Sequence, residues 1–125
     1  MKQKLAAFLG FLPIIPTVLE GSSVLLGNRE EGMIVLTWLV VYNICMAIFS
    51  LSAVVLIWIH SERSLQFSGM VFFGHFIVLC TLLGIYFTSS EVAIKSILAM
   101  SFRSVLWGLV LSLIVRMEKV DSSRR

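Results

Sequence analysis

The sequence predicts an all-α membrane protein, an antiparallel four-helix transmembrane bundle of up-down-up-down topology. Three observations carry that expectation. Of the 125 residues, 58% are hydrophobic and only 14% are charged, with a mean hydropathy of +0.99. A soluble domain carries about 25% charged residues, so lipid must meet most of this surface. The apolar residues fall into four stretches, each near the roughly 20 residues that a bilayer-spanning helix needs. The polar links between them are short, which forces neighbouring helices to run antiparallel.

The first span covers residues 5–27 and follows Lys2 and Lys4. A basic start before an apolar run is also the pattern of a signal peptide. No A-x-A cleavage site follows, so a retained helix is expected. Pro13 and Pro16 lie inside this span. Each lacks the N–H that continues the helical ladder, which predicts a kink there. The second span, 33–59, carries no charge, and Trp38 and Trp58 near its ends suit the aromatic belts of a bilayer. The third, 68–88, contains His75 as its one ionisable interior group, with Tyr86 and Phe87 at its far end. The fourth, 94–115, is interrupted by Arg103. Residues 116–125 form a short basic tail suited to anionic headgroups. The links are residues 28–32, 60–64 and 89–91, so the chain is one transmembrane domain.

Orientation follows from the basic residues. With both termini cytoplasmic, the inner side carries Lys2, Lys4, Arg63, Arg116, Lys119, Arg124 and Arg125, and the outer side only Arg29 and Lys95. That asymmetry favours an N-in, C-in arrangement. A bacterial cytoplasmic (inner) membrane is the expected location.

Four polar side chains lie deep in the spans: Glu20, Asn43, His75 and Arg103. With a rise of about 1.5 Å per residue from each span's midpoint, Glu20 falls about 6 Å outward and Asn43 about 4–5 Å outward. Arg103 falls within about 2 Å of the centre and His75 about 4–5 Å inward. Charges in lipid are expensive when isolated, so a Glu20–Arg103 pair with Asn43 beside it is the expected arrangement. Such a layer serves equally as a register-setting pair or as a ligand or ion site. Small residues mark expected helix contacts. Ser104, Gly108 and Ser112 recur at i, i+4 and i+8 in the fourth span, a spacing that allows close backbone approach. Asn43, Ala47 and Ser50 form a similar stripe in the second span, and Pro16, Glu20, Ser23 and Gly27 in the first.

Cys45 and Cys80 lie in different spans and form no C-x-x-C motif, so buried free thiols are expected. His60 and His75 differ in depth by roughly two turns, which argues against axial ligation of a haem; no metal and no cofactor are expected. The chain has no phosphate loop, nucleophile elbow or H-E-x-x-H motif, so nothing points to an enzyme. Its basic residues cluster at the ends rather than on one face, which argues against nucleic acid as a partner.

In size, span count and the single glutamate of its first span, Glu20, the chain resembles the small multidrug resistance transporters. That resemblance implies a membrane-embedded acid as a cation or proton site. The later spans have no counterpart of that family's aromatic and glycine signature, and Arg103 has no place in its scheme. DoxX-like proteins share the four-helix plan but no motif, and no family is assigned on sequence.

Three functions fit these residues. The first is a non-enzymatic integral membrane protein, an accessory or assembly subunit that binds a partner or itself through its helix faces amid membrane lipids. The second is a small transporter or channel with Glu20 as proton or cation site and Arg103 as counter-ion. The third is a lipid- or quinone-binding subunit of a membrane enzyme.

Overall fold

The computed structural model describes residues 2–27, 37–89 and 94–125. They form five helices: α1 (Lys2–Phe11), α2 (Ile14–Leu25), α3 (Thr37–Trp58), α4 (Ser64–Ser89) and α5 (Ile94–Arg124). No strand occurs among the described residues. Four helical segments are long and apolar enough to cross a membrane: α1 and α2 together as Lys2–Leu25, then α3, α4 and α5. The expected link at 28–32, the start of the second span at 33–36 and link residues 90–91 lie outside the described residues.

The first span is divided where its prolines fall. α1 stops at Phe11 and α2 starts at Ile14. Pro13 and Pro16 cannot donate to the ladder, and Pro13 takes the N-cap position of α2. The Thr17 hydroxyl donates to the Pro13 carbonyl at 2.5 Å, beside the Thr17 N–H at 3.3 Å.

α3 ends in a Schellman motif. The Ser61 N–H reaches the Leu56 carbonyl at 3.0 Å and the His60 N–H reaches the Ile57 carbonyl at 3.3 Å. The motif requires a left-handed residue, usually glycine. Here His60 fills that position at φ 59°. α4 begins earlier than expected, at Ser64. α5 runs past residue 115 to Arg124, so the tail is helical rather than a separate appendage. Residues 116–124 contain neither glycine nor proline and include Met117, Glu118 and Lys119, all good helix formers.

The helices pack in chain order around a ring. α1 lies against α3 and α5, and α4 lies against the same two on the other side. α3 and α5 therefore face each other across a diagonal. One core cluster joins Ala6 and Ala7 of α1, Ala53 and Ile57 of α3, Val71 of α4, and Trp107, Val110 and Ile114 of α5. A smaller one joins Leu39, Leu82 and Met100. Small residues set the closest approaches. A side chain at Gly10 would begin 3.1 Å from Val54 and 3.2 Å from Trp107, and one at Gly108 would begin 3.2 Å from Phe72.

α2 is held differently. It turns Ile14, Thr17 and Gly21 inward. Gly21 is so close to α3 that a Cβ there would stand 2.8 Å from Ile44. Beyond its junction with α1, α2 packs on α3 alone among the described residues. It contributes nothing to either core cluster. The ring is thus closed between α1 and α5 but not between α2 and α5.

At the end that joins the start of α1 to the α3–α4 turn, the Gln3 amide donates to the Ile57 carbonyl. Lys4 Nζ lies 5.9 Å from the Trp58 ring centroid, within the range of a cation–π contact. A groove of about 860 Å³ opens there, bounded among others by Lys2, His60, Glu62, Arg116 and Asp121.

Candidate functional site

The polar layer is built from three helices. Arg103 projects from the buried face of α5 and is only 9% exposed. Its Nη1 donates to Asn43 Oδ1 at 3.2 Å. Asn43 belongs to α3, across the diagonal. A long side chain is needed to make that crossing, and arginine supplies it.

Next to Asn43 on α3, Tyr42 turns toward α4. Its hydroxyl lies 3.5 Å from His75 Nδ1, at the outer limit of a hydrogen bond. The two rings meet edge to face, 6.0 Å between centroids at 88°. With the ring proton on Nε2, the phenol donates to Nδ1. Gly74 makes the room: a Cβ there would stand 3.3 Å from the Tyr42 oxygen and 3.1 Å from Met46 Cε. His75 is 4% exposed, so it belongs to the interior.

Glu20 lies elsewhere than expected. It is exposed on α2, and no contact ion pair joins it to Arg103 among the described residues. Its carboxylate lies within electrostatic range of the guanidinium without touching it. The reason is azimuth. α2 presents Thr17 and Gly21 to the bundle, and a residue one position before Gly21 is turned by about 100° from that face. The expected pair is therefore replaced by Arg103–Asn43 as the direct contact.

The small-residue stripe of α5 is also divided. Ser104 is buried, Gly108 accepts Phe72 of α4, and Ser112 is exposed with its hydroxyl returned to the Gly108 carbonyl at 2.9 Å. The Ser68 and Ser104 hydroxyls and the Trp107 indole N–H are buried without a hydrogen-bond partner among the described residues. Cys45 and Cys80 are free but exposed on the bundle's outer faces, not buried as expected. In a membrane such faces meet lipid, where a thiol costs little.

His60 and His75 are not brought together. His60 is in the exposed turn after α3, and His75 follows the start of α4 by about 16 Å of helical rise. Among the described residues no three His, Cys, Asp or Glu side chains gather.

Two interior residues were missed by the sequence argument. Tyr42 carries only the weak signal of preceding Asn43, since its approach to Gly74 and His75 is visible only with α4 in place. Trp107, fully buried at the meeting of α1 and α5, carries no such signal, because an indole in an apolar span is equally at home facing lipid. No family model, curated protein or solved structure matches the chain.

Proposed function

We propose that the protein is a non-enzymatic subunit of a membrane assembly that binds a partner through its helix faces. The supporting observation is Glu20. It is exposed within the first span, on a helix that packs on α3 alone beyond its junction with α1. A carboxylate facing hydrocarbon is costly, and a polar group on a neighbouring membrane protein or second copy would relieve that cost. The bundle is up-down-up-down with the first helix kinked at Pro13 and Pro16, and both termini face the cytoplasm of a bacterial inner membrane. This orientation rests on the concentration of Lys and Arg at one end of the bundle.

Transport is the second reading. The acid Glu20 and the base Arg103 within the spans favour it, since a switchable counter-ion pair is what proton-coupled movement requires. Native mass spectrometry after mild solubilisation separates the two. A stoichiometric neighbour or a defined oligomer, weakened by Glu20→Gln, supports the binding role. A lone chain that moves protons or a cationic dye in liposomes, and stops doing so in Glu20→Gln, replaces it with transport.

A further inference from the structure

The guanidinium of Arg103 carries five N–H donors. Asn43 accepts one of them, and it is a neutral amide. Arg103 is nine-tenths buried, and no other protein acceptor meets it among the described residues. Burying a charged group with so many open donors is costly, and the cost falls when an anionic acceptor fills the site.

We infer that Arg103 is the recognition group for the carboxylate of a long-chain monocarboxylic acid, which enters from the bilayer between α2 and α5. Charge selects an anion, because a neutral carbonyl or alcohol would leave the guanidinium uncompensated. The planar fork of arginine fits a carboxylate with two parallel hydrogen bonds. Depth selects the carboxylate over a phosphate. Arg103 lies nine residues into α5, about 14 Å by helical rise, so a two-chain phospholipid would have to draw its headgroup deep into hydrocarbon. A single-chain acid needs only to slide inward along the helices. Access follows from the packing, since α2 rests on α3 and leaves its flank toward α5 uncovered among the described residues. Glu20 stands exposed on that same helix, within electrostatic range of Arg103, so its negative charge opposes an anion at the guanidinium.

The test uses the full chain in phosphatidylcholine nanodiscs, with palmitate labelled with carbon-13 at the carboxyl as probe and hexadecanol as the neutral control. Native mass spectrometry is expected to give one palmitate per chain, with the carboxyl resonance displaced from its position in empty nanodiscs. Hexadecanol should bind at least about tenfold more weakly, the scale of one lost charge-assisted contact. Arg103→Gln should abolish the displaced resonance. Glu20→Gln, at an exposed position, should tighten palmitate binding and serves as the decisive variant if Arg103→Gln fails to fold. Equal binding of palmitate and hexadecanol, or a palmitate affinity indifferent to Glu20→Gln, overturns the assignment.

Discussion

Replacing Asn43 by leucine removes the one direct acceptor that the described residues give Arg103. A hydrogen bond to a charged group contributes about 1.5–3 kcal/mol in soluble proteins. Interhelical hydrogen bonds in membranes measure less, about 0.6 kcal/mol on average and about 1.7 at most. Arg103 is nine-tenths buried and a guanidinium keeps its charge, which puts the Asn43→Leu cost near the top of the membrane range, about 1.5–2 kcal/mol. Arg103→Leu removes the charge itself and leaves only a half-buried amide unmatched, so it should cost less. The double variant places apolar groups on both sides of the diagonal. It should be more stable than Asn43→Leu alone, with a coupling energy of about 1.5 kcal/mol. The measurement is reversible unfolding of delipidated protein in mixed micelles, followed by circular dichroism, so that no bound acid contributes. Additivity of the two single changes to within about 0.5 kcal/mol would refute the pair as a coupled unit. A stability for Asn43→Leu equal to that of the parent would refute the burden placed on that bond.

Three further outcomes are expected. His60→Gly should raise stability by about 1 kcal/mol, read as an upward shift in unfolding midpoint, because His60 holds a left-handed conformation in an exposed turn. Gly10→Ala should destabilise by about 1–3 kcal/mol through overpacking against Val54 and Trp107, whereas Gly84→Ala, with open space around it, should not lower the unfolding midpoint. Cys45→Ala and Cys80→Ala should each leave the unfolding midpoint within about 0.5 kcal/mol of the parent, since both are exposed on the bundle's outer faces, whereas a loss of core-cavity size at either would contradict that placement.

The spans were legible because hydropathy and length are properties of single segments. Four apolar runs identify four membrane helices whatever their neighbours do. The α3 stripe was legible too: Ala47 and Ser50 are both buried, continued by Ala53 and Ile57. Depth arithmetic placed Asn43 and Arg103 near one level, and they meet. It says nothing of rotation about the helix axis, and rotation decides which way Glu20 points. The choice between Gly21 and Glu20 as the inward residue turns on close packing against Ile44, a contact visible only with α3 in place. The helical tail escaped notice for the opposite reason. A drop in hydropathy after Val115 marks where lipid contact ends, and a helix can continue into water without it.

The division between α1 and α2 gives the bundle two unequal halves. α1 is locked through Ala6, Ala7 and Gly10 to both α3 and α5, and through Gln3 to the end of α3. α2 is joined to α1 through Leu12 and Pro13 and leans on α3 chiefly where Gly21 meets Ile44 and Val40. α2 supplies no residue of either core cluster, and beyond α1 it packs on α3 alone among the described residues. The charged groups follow the same division. Arg103 is joined to α3 through Asn43, while Glu20 stands exposed on α2. The proposed occupant of the flank between α2 and α5, a partner helix or an acyl chain, would lie between the helices that carry these two charges. On that proposal, any link between occupancy and the buried arginine runs through one twelve-residue helix.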